Sequence, residues 1–265
     1  MLRYLSRKIN SIRFKILNKG LTRNQIAVSK EITLNVDQDA YYAFRYFTDF
    51  DTDMVNEMKS FIKNTKDKKC FLDIGSHYGI FSLVFSSNSD TIAFAIEPSA
   101  SAYKILDNHC HLNSQCRIKA FQLAFGDSEG KLQMQGDVSD HLVVKKSNSS
   151  VIEKNEKTID VDVTTIDSFI SKQNIVPDVI KIDTEGFELN ILKGAVNFLN
   201  NYNPMIFLEV HPAFLCELGY SVEELIEFLG TYKYKIYDLN FKLIPNPLSY
   251  LSQDIHRIIC YKSSE

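Results

Sequence analysis

Two segments of the sequence place an acidic side chain beside a sharp turn at the end of an apolar run. In the first, Asp73 is followed by Gly75 and Gly79, and glycine lets a backbone turn tightly and approach a ligand closely. In the second, Glu97 comes directly before Pro98, and an acid at this point of an open α/β sheet commonly binds ribose hydroxyls. Together the segments predict a site for a nucleoside with a charged tail, and S-adenosylmethionine is the common ligand of that kind.

The first segment differs from two well-known phosphate-binding patterns. A dinucleotide site has three glycines around a pyrophosphate, and a phosphate loop ends in a lysine followed by serine or threonine. Residues 73–79 contain two glycines and no lysine. An acid beside a glycine turn is typical of a site for a ligand with a cationic end. A nicotinamide-dependent oxidoreductase is an alternative on a similar fold, and the missing third glycine argues against it.

A second group of polar residues follows two other apolar runs. Asp183 and Glu185 come after one run, whereas Glu209 and His211 end the next. Because neighbouring strand ends lie close together, these four side chains could surround a transferred methyl group. His211 is a candidate general base, since imidazole titrates near neutral pH. Asp183 or Glu185 could serve as the base instead, or bind sugar hydroxyls.

Two further interpretations of this group stay open. His211 could simply end a strand before Pro212. Asp183, Glu209 and His211 could also offer oxygen and nitrogen ligands to a metal ion. Because the sequence contains no tight ligand motif, we predict no metal site.

These residues belong to a chain in which strand and helix alternate. Apolar runs predict strands at residues 71–74, 92–96, 117–125, 179–182 and 205–210, and helical patterns occur at 80–85, 99–113, 187–199 and 222–229. Such alternation predicts a parallel sheet covered by helices on both faces. Residues 232–237 and 255–261 predict an antiparallel pair that completes the sheet. The polar stretch from 131 to 160 predicts an exposed loop or a hairpin insertion.

The composition is that of a globular protein. Of the 265 residues, 45% are hydrophobic and 24% are charged, which excludes a disordered, collagen-like or polytopic membrane protein. No run reaches the ~18–20 uncharged apolar residues of a membrane-spanning helix. The 5 cysteines lack paired short spacings. This pattern favours reduced thiols and a cytoplasmic location.

Positive charge is concentrated in the first 30 residues, which hold eight lysines or arginines and no acid. The whole chain carries −3, so the remainder is acidic and a poor platform for nucleic acid. Apolar residues recur in this arm at helical spacing: Leu2, Leu5, Ile9, Ile12 and Ile16. A basic amphipathic helix of this kind could touch the inner face of a membrane, dock on a partner, belong to a transit peptide, or pack on its own domain. We predict an arm and helical lead-in over residues 1–66 and a single domain over 67–265.

Several motifs together resemble the FkbM family of S-adenosylmethionine-dependent methyltransferases. Residues 181–188 (KIDTEGFE) and 192–195 (LKGA) match the family pattern K-I-D-x-E-G-x-E followed by L-x-G-A. Further segments fit in the same order: 73–75 (DIG) with Gly79, 97–98 (EP), 124–127 (AFGD), 164–167 (TTID) and 207–211 (FLEVH). The resemblance covers about residues 68–212. In one departure, Ser76-His77 stands where this family usually has Ala-Asn.

The resemblance implies a Rossmann-like class I methyltransferase fold, α/β with a mostly parallel seven-stranded sheet and helices on both faces. It implies S-adenosylmethionine as cofactor and O-methylation as the reaction. The implied cofactor-binding residues are Asp73, Gly75, Ser76, His77, Gly79, Glu97 and Asp127. His77 would donate to the methionine carboxylate, and Asp127 would lie near the adenine or cap a turn instead.

The acceptor that the resemblance implies is a hydroxyl-bearing small molecule or glycan. A protein or RNA methyltransferase guided by the basic arm is one alternative, although the acidic body makes a nucleic-acid partner unexpected. A non-catalytic S-adenosylmethionine-binding protein is the other. The sequence makes no prediction about the oligomeric state.

Overall fold

The computed structural model describes residues 11–12, 15–22, 24–49, 52–135, 143–144, 158–251 and 254–262. Seven strands form the main sheet: β3 (Cys70–Ile74), β4 (Ile92–Ile96), β5 (Ile118–Phe121), β10 (Val179–Ile182), β11 (Met205–Val210), β12 (Lys235–Tyr237) and β13 (His256–Tyr261). Their order across the sheet is β12-β13-β11-β10-β3-β4-β5. Within this sheet only β13 runs against its neighbours, because it pairs antiparallel with both β11 and β12. The prediction of a mostly parallel seven-stranded sheet is confirmed, as is the antiparallel pair.

Ten helices have both bounds within the described residues: α1 (Gln38–Asp49), α2 (Thr52–Asn64), α3 (Ile80–Phe85), α4 (Ala100–Leu112), α5 (Ile166–Gln173), α6 (Glu188–Lys193), α7 (Val196–Asn201), α8 (Pro212–Glu217), α9 (Val222–Thr231) and α10 (Pro247–Leu251). Helix α4 begins after Ser99, whose side chain accepts a hydrogen bond from the backbone of Ala102. Helix α9 begins with a capping box formed by Ser221 and Glu224. Both caps satisfy backbone N–H groups that a helix start leaves unpaired.

Two hydrophobic cores cover the two faces of the main sheet. Alternate residues of a strand point to opposite faces, so Leu72 joins one core and Phe71 joins the other. The first core receives residues from α5, α6, α7 and α9. The second receives residues from α1, α2 and α3, including Phe61, whose ring meets Phe71, Phe81 and Phe207. The prediction of helices on both faces is therefore confirmed.

The described residues of the polar stretch after residue 130 belong to a second sheet. Strands β7 (Gly130–Gln135) and β9 (Thr158–Thr164) pair antiparallel, β8 (Val143–Val144) pairs with β7, and β6 (Ala124–Phe125) pairs with β9. Of the two alternatives, the hairpin insertion is therefore correct for the described residues, whereas 136–142 and 145–157 lie outside them. The third strand, predicted over 117–125, is two strands in two different sheets.

One helix prediction is wrong. Residues 187–199 form two short helices, α6 and α7, rather than one. A Cβ atom at Gly194 would lie 2.1 Å from the backbone oxygen of Gly126, so two backbone segments touch at this point. The contact also brings the Gly194 oxygen to the backbone N–H of Asp167 at 3.0 Å. The close approach displaces residue 194 from a continuous helix.

The segment before the main sheet contributes to the second core. A hairpin of β1 (Gln25–Ala27) and β2 (Thr33–Asn35) is tied to α4, because Asn113 Oδ1 accepts from the Asn35 backbone N–H at 2.9 Å. Ile12 and Ile16 of the basic arm are 52% and 70% exposed, whereas Leu2, Leu5 and Ile9 lie outside the described residues. Membrane contact by the arm and a boundary at residue 67 stay predictions. In the part of the chain that the structure describes, no helix has both the length and the apolar character needed to cross a membrane.

Candidate functional site

The loop after β3 lies at the carboxyl edge of the main sheet. Asp73 is buried on β3 and accepts a hydrogen bond from Ser82 of α3 at 2.7 Å. Burial raises the pKa of Asp73 to about 6, although the charge of Lys181 and the bond from Ser82 act in the opposite direction. Gly75 and Gly79 both have positive φ, at 75° and 79°. The backbone therefore turns as the glycine pattern predicts.

Gly75 brings this loop into contact with the neighbouring strand end. A Cβ atom at Gly75 would lie 1.9 Å from the backbone oxygen of Asp183, which leaves no room for any side chain. The backbone N–H of Asp183 in turn donates to the oxygen of Ile74 at 3.1 Å. The glycine is thus required for a close approach of two chain segments, and it places the first group of predicted residues directly beside the second.

Glu97 connects the end of β4 to the same loop. Its Oε2 accepts from the backbone N–H of His77 at 2.8 Å, and its Oε1 accepts from the backbone N–H of Ser99 at 2.8 Å. Burial raises the pKa of Glu97 to about 7 against the effect of these two bonds. The loop also bonds to β4 directly, since the N–H groups of Gly75 and Ser76 both donate to the oxygen of Ile96. Asp73, Gly75, Ser76, His77 and Glu97 are thereby brought together.

His77 and Asp127 occupy different surroundings. His77 adopts a left-handed conformation with φ of 50°, and its ring stacks on Tyr78 at a centroid distance of 3.7 Å. Asp127 follows β6 in the second sheet, is exposed, and accepts from the hydroxyl of Ser128 at 3.0 Å. Its role near an adenine stays a prediction.

The second group lies on one face of β10, β11 and β13. Lys181 is buried and contacts Asp183 at 2.7 Å and Glu57 of α2 at 3.8 Å. Burial by itself would raise the pKa of Asp183, but the charge and hydrogen bond of Lys181 outweigh it and hold the pKa at about 2. For Lys181, burial acts to lower the pKa. The surrounding acids, of which Asp183 has the largest effect, raise it above the ordinary value of a lysine overall. Asp183 is therefore an ionised carboxylate at neutral pH.

The guanidinium group of Arg257, a residue of β13, binds the carboxylate of Glu209. Arg257 lies opposite it in the strand register, with Nε 3.0 Å from Oε2 and Nη2 2.9 Å from Oε1. Arg257 Nε also lies 3.1 Å from Glu57 Oε2. Burial and the charge of Asp183 raise the pKa of Glu209, whereas Arg257 and Lys181 act to lower it. The two-point contact fixes the orientation of the carboxylate.

His211 follows β11 and is 3% exposed. Its Nδ1 lies 2.8 Å from Oε1 of Glu188, a residue that is completely buried at the start of α6. Its Nε2 lies 3.7 Å from Glu209 Oε1, beyond hydrogen-bonding distance. Burial alone lowers the pKa of His211, but the hydrogen bond and charge of Glu188, with Asp183 and Glu185, raise it overall.

Glu185 occupies the turn between β10 and α6. It is half-buried and has a φ of 53°, and Gly186 follows with a φ of 100°. A Cβ atom at Gly186 would lie 2.6 Å from Cβ of Phe214, so α8 packs directly on this turn. Of the four predicted catalytic residues, three have ligand atoms within 4.8 Å of one another: Asp183, Glu209 and His211. That spacing would permit a cation, as the metal interpretation requires.

Three charged residues of this group were missed by sequence reasoning: the buried Glu57 and Glu188, and the partly buried Arg257. Glu188 lies within the KIDTEGFE motif, so the sequence marks its position. The motif does not indicate that its side chain contacts His211. Glu57 and Arg257 lie far from the motif in sequence and reach the cluster only through the packing of α2 and the pairing of β13 with β11. Nothing in the local sequence around either residue indicates this.

The first group has the donor chemistry that S-adenosylmethionine needs. That ligand presents a ribose diol, an ammonium group and a sulfonium, and buried carboxylates favour each of them. Asp73 and Glu97 supply such carboxylates at the turn after β3, with Asp183 beside them. Each oxygen of Glu97 accepts one backbone hydrogen bond and retains capacity for another. The residues present therefore fit this cofactor.

The fold is the Rossmann-like α/β fold of class I methyltransferases. A family model described as the methyltransferase FkbM domain matches residues 73–237, which is more than half of the chain. The chain therefore belongs to the FkbM methyltransferase family, and S-adenosylmethionine is its cofactor.

A curated relative is the hexuronic acid methyltransferase AglP of Haloferax volcanii. The two chains are 23% identical over 151 residues, which is 57% of this chain. The match spans 59% of the length of that relative.

Solved structures resemble the fold. A suspected O-methyltransferase from Klebsiella pneumoniae aligns with a TM-score of 0.52 at 10% identity, over 99% of this chain and all of its own. A crystal structure of methyltransferase FkbM from Methylobacillus flagellatus aligns with a TM-score of 0.46 at 15% identity, over 84% of this chain and 60% of its own.

Proposed function

We propose that this protein transfers a methyl group from S-adenosylmethionine to a hydroxyl group of a sugar, glycan or related metabolite. The observation that carries the proposal is the contact between Gly75 and Asp183. It joins a turn suited to the cofactor to a cluster suited to accepting a proton. A methyl donor and an alcohol bound on either side of this contact would meet at the carboxyl edge of the sheet.

The sugar acceptor is supported by the name of the relative AglP, a hexuronic acid methyltransferase. The acidic side chains near the contact support it independently, because carboxylates readily accept hydrogen bonds from sugar hydroxyls. Asp183 and Glu185 are the half-buried members of the group, and they are the proposed contacts to the acceptor.

The proposed base is His211. When bound, S-adenosylmethionine supplies a methyl group on a sulfonium, whose sulfur leaves with the bonding electron pair as a neutral thioether. The acceptor hydroxyl must lose its proton as its oxygen takes the methyl carbon. His211 Nε2 can take that proton because its other nitrogen is already engaged by Glu188. A positioned base contributes typically ~10²–10⁴-fold to such a reaction.

The other carboxylates are poorer candidates for the base. Asp183, with a pKa of about 2, is a weak base at neutral pH. Both oxygens of Glu209 face the guanidinium of Arg257, so protonation would disrupt a two-point contact. Asp183 and Glu209 are better suited to binding the acceptor and to balancing the charge around His211.

An acceptor screen tests the proposal. The purified protein is incubated with S-adenosylmethionine labelled in its methyl group and with neutral sugars, amino sugars and uronic acids, each as a glycoside, beside a protein and an RNA sample. We expect label to enter one sugar class as an ether. The His211→Gln variant should lose about 10²-fold or more in rate, whereas His111→Gln, an exposed histidine of α4, should be unaffected.

Two results would contradict the proposal. Label that enters only protein or RNA would replace the acceptor class. Full activity in a folded His211→Gln protein that binds the cofactor would remove His211 as the base.

A further inference from the structure

Glu188 is the buried carboxylate nearest to the proposed base, and sequence reasoning gave it no role. It is 0% exposed and begins α6. Its Oε1 accepts from the backbone N–H of Gly186 at 3.0 Å and lies 2.8 Å from His211 Nδ1. Its Oε2 is buried without a hydrogen-bond partner among the described residues. The contacts with Gly186 and His211 are therefore the ones that stabilise its charge.

This contact determines which ring nitrogen of His211 carries a proton. An ionised carboxylate accepts hydrogen bonds and cannot donate them. With Glu188 as a carboxylate, Nδ1 is the nitrogen that donates in this contact, and the neutral imidazole then carries its proton there. The lone pair then lies on Nε2, the nitrogen on the side of Glu209.

We propose that Glu188 is the positioning residue of the methyl-transfer site: it holds His211 as the Nδ1–H tautomer, directs the Nε2 lone pair towards the acceptor hydroxyl, and stabilises the imidazolium formed there. The inference rests on the proposed function only for the identity of the proton donor. In the step itself, the hydroxyl proton moves to Nε2 and Nδ1 keeps its own proton. The positive charge lies beside the Glu188 carboxylate until Nε2 releases its proton to solvent.

Other charged groups face His211 and bear on its titration. Glu209 lies on its own strand, Asp183 and Glu185 lie on the turn after β10, and Arg257 reaches Glu209 from β13. Lys181 neutralises Asp183, and Arg257 neutralises Glu209. Glu188 differs from Asp183 and Glu209 because no lysine or arginine among the described residues forms an ion pair with it. Its charge is therefore available to His211.

Glu188 also has a structural role that a test must separate from positioning. It accepts from the N–H of Gly186, in the turn where Glu185 and Gly186 both have positive φ. Loss of Glu188 could loosen this turn and lower activity without any effect on the tautomer. Activity alone therefore does not discriminate between the two roles, whereas the protonation state of His211 does.

The test is ¹⁵N NMR of the histidine side chains in the full chain, labelled at both ring nitrogens. The protein contains 6 histidines, and His211→Gln identifies the signals of interest by their loss. We expect the neutral His211 ring to show a protonated Nδ1 and an unprotonated Nε2. Its pKa should lie above the ordinary value for a histidine.

The variant Glu188→Gln keeps the size of the side chain and removes its charge. It should lower the pKa of His211 by about 1, since an opposite charge in contact shifts a pKa by ~1–3. Glu188→Asp should retain the Nδ1–H tautomer. Glu217→Gln, at an exposed glutamate of α8, is the matched control and should change neither property.

Three results would overturn the proposal. The first is a wild-type His211 with its proton on Nε2, and this measurement needs no variant to fold. The second is an unchanged His211 pKa in folded Glu188→Gln. The third is stoichiometric Mn²⁺ binding that broadens the His211 signals, because Nε2 would then be a metal ligand. None of these measurements requires an acceptor, so failure of the proposed function and failure of this inference are distinguishable.

Discussion

At the scale of single residues, the buried charges at the carboxyl edge form pairs between different elements. Lys181 of β10 contacts Glu57 of α2, and Arg257 of β13 contacts Glu209 of β11. Burying a charge is tolerable only when a partner compensates it, and removal of one partner leaves the other uncompensated. The pairs therefore offset part of the cost of burying these charges.

Arg257 gives a direct test of this compensation. Replacing it by methionine removes the partner of Glu209 and a neighbour of Glu57, while the apolar stem is kept. We expect the free energy of unfolding to fall by ~3–5 kcal/mol, measured by urea denaturation. The control is Arg117→Met, at an exposed arginine before β5, which should stay within ~0.5 kcal/mol of the wild type. Equal stabilities for the two variants would mean that the Arg257 pairs contribute nothing.

Residue types and spacing predict which residues meet in the site only where those residues are close in sequence or lie at strand ends. Asp73, Gly75 and Glu97 meet as predicted, because a parallel sheet collects the carboxyl ends of its strands at one edge. Glu57 meets Lys181 only because α2 packs over that face of the sheet. A single sequence does not contain that packing in any local pattern.

At the scale of elements, glycines allow segments to touch where any side chain would separate them. The turn after β3 approaches the end of β10 at Gly75, and the start of α8 approaches the turn after β10 at Gly186. Both positions have positive φ, which glycine adopts without strain. These contacts set the distance between the cofactor turn and the proposed base.

Alanine substitution at Gly75 should therefore be severe. The left-handed conformation costs an alanine ~1–2 kcal/mol, and overpacking adds ~1–3 kcal/mol, so we expect the unfolding free energy to fall by about 3 kcal/mol or more. Gly230, near the end of α9, is the matched control, because a Cβ there would meet nothing within 4 Å. Gly230→Ala should raise stability by ~0.5–1 kcal/mol. Thermal and urea unfolding measure both, and a neutral Gly75→Ala would contradict the close approach to Asp183.

Elements were predictable where apolar runs were short and bounded. The runs at Phe71 and Met205 lie within β3 and β11, because buried parallel strands are apolar on both faces. The single helix over 187–199 was wrong because the contact of Gly194 with Gly126 is a tertiary effect. The run over 117–125 was divided for a similar reason, since its two parts pair with strands of different sheets.

At the scale of the whole molecule, the order of the main sheet places β3 and β10 side by side near its centre. The two functional turns follow these strands, so the cofactor turn and the acidic group share one edge. In the sequence, the lead-in comes before the strands of the main sheet, and the strands of the second sheet come between β5 and β10. Because loops vary with function, the loops that follow the strands at this edge are the candidate walls of the acceptor site.

The cofactor site is tested by a calorimetric titration with S-adenosylmethionine at pH 8 and pH 6, on the wild type and on Glu97→Gln. The carboxyl group of Glu97, with a pKa of about 7, is mostly ionised at pH 8 and mostly protonated at pH 6. We therefore predict binding at pH 8 that weakens as pH falls, by up to about tenfold per pH unit. Glu97→Gln should bind weakly at both values, and Glu129→Gln, at an exposed glutamate, should bind like the wild type. A folded wild-type protein that does not bind, or a Glu97→Gln variant with unchanged affinity, would contradict the assignment of the cofactor site.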